Sequence, residues 1–219
     1  MGRRHFTALL TVALLVTGAA ACSDDEPTTA NSTTTTSAST TPTTALDPAL
    51  AALLLRAGDL PAGFTASHEV DDTITSFCAS EDAAAGLHAT ARAVQGFTRT
   101  AGGASVIQVA FRFRGGDAAS FVRQAGEILE RCSGVPDITG LAFDYDALSP
   151  ELAAVLDGAP EASVGRHGVN VGSGSLSTNV VVLQHDDVGQ LVAVLGLDLP
   201  RAELDALAVV AFSAVIARI

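Results

Sequence analysis

Over residues 105–114, Ile107, Val109, Phe111 and Phe113 alternate with Gln108, Ala110, Arg112 and Arg114, the two-residue period of a strand with one buried face. Residues 89–100 supply a second strand, and Ala101-Gly102-Gly103 between them is a short glycine-containing connection suited to a hairpin. One face of this pair is expected to be core and the other wet. Gly115-Gly116 then break the strand, Asp117 is placed to cap, and the period lengthens: Ala118, Phe121, Val122, Ala125, Leu129 and Cys132 fall along one stripe of a helix. Arg123, Gln124, Glu127 and Arg131 take the opposite side, with Glu127 and Arg131 spaced for an i,i+4 pair.

The same grammar extends both ways. Asp47-Pro48 opens a helix whose Leu50, Leu53, Leu54 and Ala57 share a face and whose stop is Gly58. Asp59–Phe64 then turns into a strand near 63–70, followed by an irregular or helical piece after Cys78. Downstream, strands are predicted near 162–170, 175–185 and 190–198, with a turn over His185–Gly189 and a helix from Pro200 to the end. The segments VIQVAFRFRGGDAASF and LVAVLGLDLPRAELDAL share an alternating strand, a brief break and an amphipathic helix, so an internal strand-hairpin-helix duplication is expected. The last helix has an apolar run over Ala206–Ala217 interrupted by Ser213, too short to span a bilayer, and is read as packed on the sheet. Glu203 and Asp205 near its start and Arg218 near its end suit its dipole. The fold class expected is α+β, a mainly antiparallel sheet with helices packed on it.

Ahead of this domain the pattern changes twice. Arg3 and Arg4, the apolar run at 6–16 and the small residues Ala19-Ala20-Ala21 form a signal peptide over 1–21. Cys22 directly after it is the position of a lipid attachment, which would hold the chain by palmitate-type acylation on the outer face of a membrane. Ala19 stands where such signals usually carry Leu or Val, and Ala19 with Ala21 also satisfies the A-x-A rule of ordinary secretion; either way the chain is exported. Residues 23–45 contain ten threonines and no large apolar side chain, so they cannot build a core and are expected to be a disordered tether, also suited to O-glycosylation. With Cys22 the tether covers 22–45, and the globular domain is expected over 46–219.

Charge narrows the partners. The chain carries 12 basic against 24 acidic residues, and losing Arg3 and Arg4 makes it more acidic still, which argues against nucleic acid and anionic headgroups. Apart from Cys22 the cysteines are Cys78 and Cys132. In an oxidising compartment they are read as a disulfide, stabilising by about 4 kcal/mol through loop closure.

Candidate chemistry is sparse. Asp186-Asp187 beside His185 could form half a metal site, but a tight polar turn calls for the same residues. His68, His88 and His167 are isolated, with no H-x-x-x-H or H-x-E pattern. Gly172-Ser173-Gly174-Ser175 lacks the register of a nucleophile elbow and reads as a loop. There is no lysine and no phosphate-loop motif. Arg112 and Arg114 on one strand, with Arg92 and Arg99 on its partner, are the candidate anion-binding face, although arginines on a solvated strand also simply pair with carboxylates. No catalytic, cofactor-binding or metal residue is assigned.

The opening LLLRAGDLPAGF, the lone Cys78, the unit VIQVAFRFRGGDAASFVRQAGEILERC and the terminal apolar helix ending in ARI together resemble exported actinobacterial lipoproteins. The domain in these is similar to the extracellular sensor domain of PknH-type mycobacterial serine/threonine kinases. The all-arginine, alanine-rich composition resembles a GC-rich actinobacterial proteome. The resemblance implies an antiparallel sheet flanked by helices, two disulfides and a ligand cleft. This chain departs from it in having cysteines for one bridge and no tryptophan, and no binding residue carries over. The reading is a non-enzymatic ligand-binding or sensor-like domain for a small or lipidic molecule, needing no cofactor. The alternatives are an envelope protein-interaction module and, behind both, a hydrolase with a scattered site.

Overall fold

The computed structural model describes residues 47–67, 76–78, 81–99, 101–136, 140–159, 161–172 and 175–219, without the side chains of 76–78 and 81. The signal peptide, the whole of the tether with Cys22, and His68 lie outside the described residues. Those described fall in one compact unit, Thr43–Ile219.

Among the described residues nine strands form, β1 Phe64–Ser67, β2 Ser76–Cys78, β3 Glu81–Asp82, β4 Ala89–Arg99, β5 Ala104–Phe113, β6 Phe143–Asp146, β7 Ser163–Asn170, β8 Leu176–His185 and β9 Val188–Leu197, with helices α1 Pro48–Leu53, α2 Asp117–Arg131, α3 Pro150–Leu156 and α4 Arg201–Ile216. Seven strands make one antiparallel sheet in the order β1-β4-β5-β9-β8-β7-β6, and β2 and β3 pair separately. The α+β class is therefore as read. No helix among the described residues is long and apolar enough to cross a membrane.

The expectation of one wet face is overturned. On one face Val109, Phe111 and Phe113 of β5, Val180 and Val182 of β8 and Leu191 of β9 pack under α2. On the other, Val106, Val181, Leu183, Val192 and Val194 pack under α3 and α4, while Ala93, Ala110 and Val188 lie under Leu50 and Leu54 of the α1 segment. Strand residues alternate between faces, so a sheet covered on both sides buries both sets, and Gln108 is fully buried beside Ala110.

The chain order strand, hairpin, helix does recur, as β1-β4-β5-α2 and β7-β8-β9-α4. The halves meet at the antiparallel β5–β9 pair, where a twofold axis relating them would put both helices on one face. Instead α2 and α4 take opposite faces, so the halves are not superposable repeats in space.

Local details differ from expectation at both α1 and α2. Helix α1 stops at Leu53, not Gly58, and Leu54 is extended. Gln108 is the cause: its Oε1 accepts from Leu55 N at 2.7 Å and its Nε2 donates to Leu53 O at 3.1 Å, taking backbone groups that continued helix would need. After a 3-10 turn at Ala57–Asp59, Arg218 reaches back from beyond α4 and donates to Asp59 at 2.6 Å and to Ala52 O. Glu127 pairs with Arg123 one turn earlier, at 2.9 Å.

Asp117 does not cap α2, because Gly116 takes the N-cap position at φ 87° and Asp117 is the first helical residue. Its carboxylate instead accepts from His88 N and faces His88 Nδ1, both at 2.9 Å. These hydrogen bonds, the backbone one foremost, hold the Asp117 carboxyl below its ordinary value of 3.8. A depressed folded-state pKa contributes stability that is present above the unfolded value and lost as pH falls through the folded one. Asp117→Asn is therefore expected to flatten the acid limb of a stability–pH profile below about pH 4 and to leave the limb above it parallel to the parent. Urea titrations from pH 6 down to pH 2 would check this, and parallel profiles over the whole range would refute it.

Candidate functional site

The arginines proposed as one anion-binding face are divided by register. Arg92 lies opposite Phe111 and its guanidinium sits 5.7 Å from that ring, on the α2 side. Arg99 lies opposite Ala104 and Arg112 opposite Ala91, on the other side of the sheet, because directly paired residues share a face and neighbours alternate. Arg99 donates to Glu203 of α4 at 2.9 Å and stacks over Phe64 at 5.5 Å. Arg112 is 3.6 Å from Asp47 and 3.7 Å from Asp187. Arg114 follows the strand and is exposed. The structure thus does not gather the four, and carboxylates already face Arg99 and Arg112.

His185 and the two aspartates form the β8–β9 turn: His185 pairs with Val188, and Asp186 has φ 51°. His185 Nδ1 is 3.9 Å from Glu161, which accepts from Asp186 N. Among the described residues no group of three or more His, Cys, Asp or Glu is placed to hold a metal. Gly172 N donates to Asn170 Oδ1, a local turn at the start of the Gly172–Ser175 segment, whose residues 173–174 lie outside the described set. Cys132 is buried where α2 ends, and β2, which carries Cys78, packs against that helix; the Cys78 side chain is outside the described residues.

A concave site lies between α3 and α4. A groove of about 460 Å³ is lined by Glu151 of α3 and by Ala202, Asp205, Ala206 and Val209 of α4, within the volume range of small-molecule sites. Pro150 at the first helical position fixes the start of α3 and points Glu151 into its first turn. Helix α3 can lie against β7 because Gly165 has no side chain: a Cβ there would sit 2.5 Å from Leu148 Cδ1 and 2.9 Å from Leu156 Cδ1. On α4, small residues at 202 and 206 leave the hollow open.

Behind the groove runs a buried polar chain. His167 of β7 and Asn179 of β8 lie opposite each other and are 2 % and 0 % exposed. His167 Nδ1 is 2.9 Å from Asn179 Oδ1, and Asn179 Nδ2 donates to Asp205 Oδ1 at 2.8 Å. Since Asn179 Oδ1 can only accept, Nδ1 of His167 is the protonated nitrogen. His167 thus donates to Asn179, and Asn179 in turn donates to Asp205. The other Asp205 oxygen is 3.7 Å from Arg201 Nε, beyond hydrogen-bond length. Among the described residues, no serine or threonine hydroxyl and no cysteine thiol is hydrogen bonded to His167. The trio was not visible as a site in the sequence, because its members come from two strands and a helix and share no motif. The one available signal is faint: Asn179 stands directly before the apolar run Val180–Leu183, while His167 lies in a mixed strand beside Arg166.

No protein-family model matches the chain, and no curated protein matches it. Among solved structures, the crystal structure of the extracellular domain of PknH from Mycobacterium tuberculosis is similar at 16 % identity and a TM-score of 0.50, covering 74 % of this chain and 93 % of that one. At that identity the likeness is one of fold: the chain has a fold similar to that extracellular domain.

Proposed function

We propose that this protein is a non-enzymatic ligand-binding or sensor-like domain, held outside the cell by lipid on Cys22 and lifted from the membrane by the tether. The observation that carries the binding step is the α3/α4 groove, with Asp205 fixed in its wall by the buried His167–Asn179 pair. A buried histidine and asparagine cost desolvation unless fully hydrogen bonded, and here they are used to orient one carboxylate facing a hollow. The signal-peptide pattern before Cys22 and the likeness of fold to an extracellular domain support the location. Burial of Cys132 and the packing of β2 on α2 support a Cys78–Cys132 disulfide.

A second reading has its own observation. Around the Pro136–Ala142 bridge, Val135, Leu141 and Val171 are 37 %, 40 % and 56 % exposed, and Val171 N is tied to Ala142 O, a compact apolar patch of the kind a partner protein covers.

Native mass spectrometry of the protein, extracted gently from its own host, separates the two. The expected result is one small species at defined stoichiometry, released on denaturation. A bare protein mass in repeated preparations would sink the ligand reading and favour the interaction module. Cys22→Ser is expected to move the protein from the membrane fraction to the medium.

A further inference from the structure

We infer that the α3/α4 groove takes a cationic amphiphile, with a protonated amine or quaternary ammonium between Glu151 and Asp205 and a short apolar body against Ala202, Ala206 and Val209. This rests on the ligand-binding reading above and names its ligand class.

Charge decides the head. The groove wall carries two carboxylates against one paired cation: Arg201, half-exposed, forms an i,i+4 ion pair with Asp205 at 3.7 Å and donates through Nη2 to Ala147 O, so the wall keeps a net negative charge. Glu151 is exposed and forms no ion pair among the described residues. An anionic ligand would meet like charge there, whereas an ammonium completes the lone pairs left on Asp205 after Asn179 has taken one. Asp205 Oδ1 cannot swing away, because its partner Asn179 is wholly buried and held in turn by His167. His167 and Asn179 are therefore positioning residues for the carboxylate.

The walls decide the body. Apart from the two acids every lining residue is alanine or valine, which suits alkyl or small ring carbon and gives a hydrated metal ion too few ligands. Length decides scale. Helix α3 has 7 residues, about 10 Å at 1.5 Å per residue, so the groove is a seat for a small molecule and too short to cradle a partner helix.

The test titrates the full-length protein by calorimetry with octyltrimethylammonium, octanoate and octanol, three probes with one tail and different heads. Saturable one-site binding of octyltrimethylammonium, about tenfold or more tighter than octanoate, is expected. Asp205→Asn keeps the acceptor for Asn179 and so the local fold, yet should weaken ammonium binding about tenfold, with Glu151→Gln weakening it severalfold. Ala206→Trp, at an exposed position, should abolish binding of all three probes while the melting temperature stays near the parent value.

Octanoate binding as tightly as the ammonium, or indifference of ammonium binding to both acid-to-amide changes, would overturn the ligand class. If octanoate or octanol then still saturates a site that Ala206→Trp removes, groove binding survives and only the cationic head is wrong. Binding insensitive to Ala206→Trp overturns the site itself. A lack of saturable ammonium binding overturns the inference, and the native mass measurement independently reports whether the protein carries any ligand.

Discussion

Phe121→Ala is expected to destabilise the protein by about 3–5 kcal/mol, lowering the melting midpoint by on the order of 10 °C for a domain of this size. Phe121 is fully buried on α2 and closes a ring triad, 5.5 Å from Phe111 and 5.4 Å from Phe113 between centroids. Its ring occupies a notch made by Gly189: a Cβ on that residue would lie 2.6 Å from Phe121 Cδ1 and 2.9 Å from Phe113 Cε2. The floor of the notch is strand backbone, and Gly189 is registered against both Phe111 and Gln184. The floor therefore cannot rise to fill the void left by the ring, and such a site sits at the costly end of cavity-forming substitutions. Thermal unfolding by circular dichroism checks this, with Leu197→Ala, which is 52 % exposed, as a control near the parent value. A loss below about 1 kcal/mol at Phe121 would mean that α2 does not pack on the sheet as described.

Gln108→Leu is expected to cost about 2–4 kcal/mol despite conserving volume and adding apolar surface. Gln108 makes three hydrogen bonds from a fully buried position: it accepts from Leu55 N and donates to Leu53 O and, at 2.6 Å, to Gln190 Oε1. Leucine strands all three partners, and a buried polar group without a partner costs more than a made hydrogen bond contributes. Gln190 behaves differently, since its Nε2 already has no partner among the described residues. Gln190→Leu should therefore be milder than Gln108→Leu, and the double change should fall short of the sum, a positive coupling in a double-mutant cycle. Hydrogen exchange gives a local readout: the Leu55 amide should lose protection in Gln108→Leu ahead of the central strands. An unchanged Leu55 amide would refute the assignment of Gln108 as the hook that ends α1.

Where a segment's period is set by one dominant contact, the sequence reading and the structure agree. The stripe on α2 is buried as expected, with Ile128 added, because a helix resting on a sheet needs only one apolar face and its own sequence displays it. Strand β5 shows the limit. Its alternation marks Phe111 and Phe113 as core, but the polarity of Gln108 points to solvent, whereas a backbone segment more than fifty residues away buries it. Arg92 and Arg112 look like neighbours, yet the hairpin register pairs Arg92 with Phe111 and Ala91 with Arg112, and the alternation of faces sets the two arginines on opposite sides of the sheet. Helix α3 shows no helical period in the sequence although Ser149-Pro150-Glu151 is a serviceable helix start, since its seven residues offer too few turns for a period to emerge. The groove depends on that helix, so the site was lost with it. Register and long-range pairing, not local propensity, bring Glu151, Asn179 and Asp205 together.

The β5–β9 pairing also dictates an order of events as the chain is made. Ala104 waits for Gly196 and Arg112 for Val188, so a strand at the centre of the finished sheet is an unprotected edge until nearly the whole domain has emerged. Such non-local closure slows folding, and an open apolar edge invites pairing with other chains. Once β9 arrives, the two hairpins on either side are joined in a single step. The second hairpin thus acts as the lock of the first, and truncations that remove β9 should yield aggregates, not a smaller folded domain.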